Sequence, residues 1–359
     1  MPDISGVIDP IVESIYEQYE KRGNEPARPY LGASIIGKEC SRALWYDFRW
    51  AGREVFEGRM FRLFQTGHLE EPRMIADLRA IGAEVYDVDP ANGRQFGFKD
   101  HGGHMRGHMD GCARHIPTGG AKWHVLEFKT HSAKSFAELK RHGVKKAKPQ
   151  HYDQMTWYMG KTGMDRALYL AKNKDNDELH SERIEFDRVR FEQIQAKASY
   201  IIFSVEPPPK LSDDPAFFVC KFCTHRPVCH GNRVPAISCR TCCHSTPVLN
   251  GDGQWDCSRT PGTVEPDIPL EVQRTGCNEH LPLPFLLTYA EPIDAGNGWI
   301  VFQRKDNQRR FAVATPGSAF SAEFPIYSSM EVTAAQDHKA IGDPDIERLR
   351  QDFNGRITG

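Results

Sequence analysis

The stretch KWHVLEFKTH, residues 122–131, constrains the fold most. Successive side chains of a strand point to opposite faces, so an extended segment here puts Val125, Glu127 and Lys129 on one face and Leu126 and Phe128 on the other. A carboxylate and an ammonium two residues apart on one face suit either a polar site or a charged sheet edge. Flanking segments extend the pattern. AEVYDVD reads as a strand, GHMRGHMDGCARH as a turn and strand, and RALYLAKNKDNDELHSERIEFD as two strands joined by a polar turn. Helical patterns alternate with them, which predicts an α/β fold with a mixed central sheet.

The helices are a first one capped by Ser34 and reaching about Tyr46, and a second from about Phe56 to Ala80 bearing Phe61, Leu63, Phe64, Leu69, Met74, Ile75 and Leu78. A third starts at Pro149 and stops near Gly160. A long closing helix runs from Asp187 to Val205, and Pro207, Pro208 and Pro209 end it. Residues 1–30 read as a helical lead-in, 31–235 as the main domain, 236–285 as a cysteine-bearing module and 286–359 as an accessory segment with a short final helix presenting Ile346, Leu349 and Phe353.

At 359 residues the chain can hold one large core with appendages. With 46 Lys plus Arg against 48 Asp plus Glu, bulk charge neither demands nor excludes nucleic acid. The absence of a membrane-length apolar run and of a cleavable leader predicts a soluble, cytoplasmic protein without membrane partners. Of ten cysteines, only Cys40 and Cys112 precede Cys220; the rest crowd between Cys220 and Cys277, a pattern that favours metal ligation over disulfides in a reducing compartment.

Asp110 and Glu127 end neighbouring predicted strands, where their carboxylates can converge on Mg2+ or Mn2+, cations that prefer oxygen donors. The carbonyl of a neighbouring residue would complete such a set. Lys129 could orient or help deprotonate a bound water, and His68, with Glu71 one helical turn on, is a further metal candidate. Gln154 and Tyr158, four residues apart on one helix face, could contact phosphate or position Lys129. ELKRHGVKKAKP, residues 138–149, is a basic patch suited to guiding DNA, and a solvated loop otherwise.

FFVCKFCTHRPVC supplies Cys220, Cys223 and Cys229, with Cys40 as the fourth thiolate. Four thiolates hold either zinc or a [4Fe-4S] cluster, and spacing does not choose. In the next module Cys239, Cys242, Cys257, Cys277 and His280 resemble the halves of a zinc ribbon, with Gly251, Asp252 and Gly253 at its intervening hairpin. Such a module could present Arg240, Arg259 and Arg274 to a nucleic acid or a protein.

Taken in order, Cys40, His68, Asp110, Glu127-Phe128-Lys129, Gln154-x3-Tyr158 and Cys220-x2-Cys223-x5-Cys229 resemble the PD-(D/E)xK nucleases of the RecB-like exonuclease class, particularly its iron-sulfur branch. That branch includes CRISPR adaptation nucleases and phage recombination exonucleases. The resemblance spans about residues 30–235 and departs from the family name at Met109, which stands where a proline would. It implies a restriction-endonuclease-like core, a [4Fe-4S] clamp on Cys40, Cys220, Cys223 and Cys229, and a catalytic metal on His68, Asp110, Glu127 and the Phe128 carbonyl. Lys129, Gln154 and Tyr158 would complete the site. The implied activity is metal-dependent DNA exonuclease action in phage-type recombination or repair, leaving 5′-phosphate and 3′-hydroxyl ends, with a phage annealing or recombination protein as a further partner. Alternatives are a structure-specific endonuclease, a CRISPR-type end-processing nuclease, or a non-catalytic DNA-binding subunit.

Overall fold

A computed structural model describes residues 9–23, 25–52, 54–117, 119–259, 268–335 and 337–358. The start of the lead-in, before residue 9, lies outside them. Its centre is a five-stranded mixed sheet in the order Glu84–Tyr86, Gly111–Arg114, His124–His131, Arg166–Asn173, Leu179–Glu185. Pairing is antiparallel except between His124–His131 and Arg166–Asn173, which run parallel from Val125 opposite Ala167 to His131 opposite Asn173. A parallel pair needs a crossover, and two helices, Ala133–Ala147 and Pro149–Thr162, provide it.

The alternation in the central strand sorts the two cores. Leu126 and Phe128 pack with Leu168 and Leu170 against Met74, Ile75 and Leu78 of the long helix Gly58–Ala80. Val125 joins Tyr169 and Ala171 in the larger core on the other face, with Phe136, Met155, Trp157 and Ile194. With both faces covered, Glu127 is fully buried.

Ser34 does not cap a helix: it lies in a short 3-10 turn, Ala33–Ile35, and the helix begins at Ser41 with Cys40 as its cap. The basic stretch 138–149 is largely helix rather than loop, started by Ser132 and broken at Gly143, whose φ is 71°. Lys140 pairs with Glu178 at 2.5 Å and Lys145 with Asp187 at 3.1 Å, so part of its charge is spent on protein carboxylates.

A smaller sheet carries the segments around the site: Met105–His108 lies between Leu31–Gly32, parallel, and Gly97–Asp100, antiparallel. Further on, Ser245–Pro247 and Trp255–Cys257 form the expected antiparallel hairpin. The C-terminal part folds as a four-stranded sheet, Ala290–Gly296, Trp299–Arg304, Arg310–Ala314 and Ile326–Tyr327, over a core including Phe302, Phe311 and Val313. The final helix is Pro344–Phe353, and Leu349 and Phe353 remain exposed on it. Among the described residues no helix is long and apolar enough to cross a membrane.

Candidate functional site

Asp110 follows the strand Met105–His108 and accepts a hydrogen bond from the backbone N–H of Phe128 at 2.8 Å, which ties the two sheet segments together beside Glu127. Gly111 permits that junction: its φ is 149°, and a Cβ there would lie 2.7 Å from the carbonyl oxygen of Tyr86. Lys129 forms an ion pair with Oε1 of Glu127 and donates to the carbonyl of Phe128 at 3.2 Å. Oε2 of Glu127 finds no hydrogen-bond donor among the described residues.

Burial pushes the Glu127 carboxyl up to about 7 against the pull of Lys129, and the charges of Asp110 and Glu71 add to the rise. Burial alone would lower Lys129, but Glu127 and Asp110 hold its ammonium above the usual lysine value. Lys129 is therefore a fixed cation near neutrality, fitted to stabilise negative charge rather than to accept a proton. Glu71 is raised by burial and by Asp110, with His68 opposing.

His68 turns towards Glu71, Nδ1 to Oε1 3.5 Å, and its side chain is 76% exposed. Gln154 and Tyr158 are both buried on the helix Pro149–Thr162, and Tyr158 donates its hydroxyl to the carbonyl of His108 at 2.6 Å. Two adjoining clefts open here. One, of about 350 Å³, is lined by Arg28, Arg106, Asp110, Gln154 and Tyr158; the other, of about 470 Å³, by Phe64, Lys129, Thr130 and Lys174. Arg28, His68 and Glu71 line both. Sequence reading missed Arg28 and Arg106. The only signal for Arg106 was its place four residues before Asp110, in a segment already suspected of carrying the site.

The expected metal clusters are corrected. Among the described residues, no group of three or more His, Cys, Asp or Glu side chains is placed to hold a metal ion. Cys40, Cys220, Cys223 and Cys229 border one small cavity of about 20 Å³, but the Cys40 sulfur is committed to capping its helix, accepting from Ala43 N at 3.4 Å. The [4Fe-4S] clamp is withdrawn. Cys239, Cys242, Cys257 and Cys277 are near neighbours, yet Cys242 accepts from the backbone of His244 and Leu281 at 3.5 and 3.4 Å, and Cys239 donates to Val272 O at 3.5 Å. His280 Nε2 faces the Thr241 hydroxyl at 3.2 Å. Cys239 and Cys242 are buried and bond to the local backbone, and burial pushes Cys239 up to about 12, so the zinc-ribbon expectation is withdrawn as well. Arg240, expected on a binding surface, is fully buried, and Arg259 pairs with Glu279 at 2.8 Å.

No family model and no curated protein matches the chain. Among solved structures, an alkaline exonuclease from Laribacter hongkongensis (LHK-Exo) is 17% identical, covering 52% of this chain and 90% of its own, with a TM-score of 0.34. Its complex with dAMP gives 0.35 over the same shares. A protein designated SSO0001 is 14% identical over 62% of this chain and 96% of its own, with a TM-score of 0.37. Likenesses this weak carry no inference about fold or activity, and with the cysteine clamp gone, membership of the iron-sulfur exonuclease class is withdrawn.

Proposed function

We propose that the chain hydrolyses phosphodiester bonds of DNA in the cleft above Asp110, Glu127 and Lys129, with Mg2+ or Mn2+. The observation that carries this reading is the buried Glu127 carboxyl group, with an unpartnered oxygen beside Asp110 and an ion pair to the Lys129 ammonium. Mg2+ keeps several of its waters and is commonly held by one or two carboxylates plus substrate phosphate, so three protein side chains are not required. Asp110, Glu127 and the carbonyl of Phe128 fit that demand. The carbonyl has two lone pairs, and Lys129 uses one. A bound divalent cation would supply Lewis acidity and a water of lowered pKa.

In this reading Lys129 places positive charge where the phosphoryl oxygens gain negative charge, a role worth most in a cleft partly shut off from water. Gln154 offers an amide to a substrate phosphate. Tyr158 holds the His108 carbonyl, and with it the approach of the strand that leads to Asp110. His68 and Glu71 form a polar rim common to both clefts.

The test is digestion of linear and circular DNA with Mg2+ or Mn2+, with 5′ and 3′ ends separately labelled and Glu127→Gln as control. Loss of linear DNA alone establishes an exonuclease and gives its polarity. Cleavage of both forms makes it an endonuclease. Absence of cleavage with retained DNA binding would replace the enzymatic reading by that of a binding subunit.

A further inference from the structure

The hairpin of the cysteine-bearing segment reaches the site. Its turn packs backbone to backbone on the loop His101–Gly103: Gly253 N–H donates to Gly102 O at 2.6 Å, and His104 Nε2 lies 2.9 Å from Val248 O. Only glycine fits this contact. Gly103 has φ 82°, and a Cβ there would sit 2.5 Å from the carbonyl carbon of Asp252.

From that seat Asp252 holds Arg106. The Asp252 carbonyl accepts from Arg106 Nη2 at 2.8 Å, its Oδ1 lies 3.4 Å from the same nitrogen, and Lys99 anchors the carboxylate at 2.8 Å. Arg106 Nε donates to Gly103 O at 2.9 Å, and its guanidinium lies 5.6 Å from the ring centroid of Tyr30. Two guanidinium nitrogens are thus tethered from behind, which fixes the plane of the group at the wall of the cleft that contains Asp110 and Gln154. A planar, oriented guanidinium with a nitrogen to spare is suited to phosphate.

We infer that Asp252 is a positioning residue, holding Arg106 as a contact for a phosphate next to the one cleaved, so that the cysteine-bearing segment sets the grip of the cleft on its substrate. This rests on the nuclease reading. The ligand class is the backbone of a nucleic acid, recognised by charge and not by base.

The experiment is a double-mutant cycle on the full chain. It measures kcat and KM on a linear DNA, and the salt dependence of binding to the same DNA in a Glu127→Gln background that does not cut. Arg106→Gln should raise KM about tenfold with little change in kcat, and should flatten the salt slope by about 0.9, the loss of one phosphate contact. Asp252→Ala should raise KM about threefold, and should add nothing once Arg106 is Gln. Arg106→Lys keeps the charge, so it should retain the salt slope while losing the dependence on Asp252. A purely structural Asp252 would give additive effects, a lowered melting temperature and an unchanged slope, which overturns the inference. Cleaving wild-type protein whose KM ignores Arg106→Gln also overturns it, leaving the nuclease reading intact. Wild-type protein that neither binds nor cleaves DNA overturns both. If Asp252→Ala fails to fold, Asp252→Gly, which also lacks the side-chain acceptor and suits the φ of 40° there, carries the same test.

Discussion

Tyr169 stands opposite Glu127 in the neighbouring strand, and its hydroxyl lies 2.8 Å from both His131 Nε2 and His151 Nδ1. When the hydroxyl donates to one imidazole and accepts from the other, the accepting imidazole must be neutral. Burial, with Lys148 and Lys129 adding repulsion, pushes His131 down to about 4; burial and then Lys129 push His151 to about 3. Both groups bind protons more weakly folded than unfolded. Their stabilisation is therefore full above the unfolded value of about 6.5 and is lost as pH falls from there towards the folded values. Glu127 has the opposite sign. Raised from 4.5 to about 7, it contributes stability at low pH that is lost as pH rises through about 7. Melting temperatures of wild type and His151→Gln between about pH 7 and about pH 4 separate the two: the variant should lose less on acidification. An identical acid loss in His151→Gln would show that the imidazole is not held neutral. None of this network was visible in the sequence, because His131, His151 and Tyr169 meet only once the crossover returns the chain to the sheet.

At the scale of elements, the strand 124–131 was legible because period-two alternation survives burial on both faces: Leu126 and Phe128 face one core and Val125 the other. Leu126 is fully buried. Leu126→Ala should cost about 2–5 kcal/mol in denaturant unfolding, because the tight contact with the long helix leaves a cavity that cannot fully close. Leu69→Ala on that helix, where the side chain is 69% exposed, should change stability by no more than about 0.5 kcal/mol. Equal losses at the two positions would mean that the long helix packs through a different face. The helix Ala133–Ala147 was not legible. Its glycine and its run of lysines carry the composition of a loop, and only tertiary partners, Glu178, Glu182 and Asp187, make that composition compatible with a helix. The cysteines misled for a related reason: spacing brings thiols together but does not say whether they meet a metal or the backbone.

At the scale of the whole molecule, the question is what fastens the cysteine-bearing segment to the main sheet if metal does not. Arg240 answers much of it. It is 0% exposed, stacks within 3.9 Å of the Trp50 ring centroid and 4.7 Å of that of Trp255, and donates to Phe48 O at 3.0 Å and Pro29 O at 2.9 Å. The segment 236–285 thereby reaches one carbonyl of the main domain and one at the end of the lead-in through one side chain. Burial, with Arg49 and Arg274 adding like charge, lowers this guanidinium to about 9, so it is held at a cost that cation–π contacts and carbonyl acceptors offset. Arg240→Ala removes the acceptors' donor and opens a void between aromatic rings, and should destabilise by at least ~2 kcal/mol. Arg240→Met keeps the stem volume but not the hydrogen bonds, and should lose less. Because the same segment seats the turn that holds Arg106, the alanine variant should also weaken DNA binding at temperatures where the main domain is still folded. Binding that stays constant until global unfolding would mean that the hairpin docks without Arg240, through its glycine contacts alone.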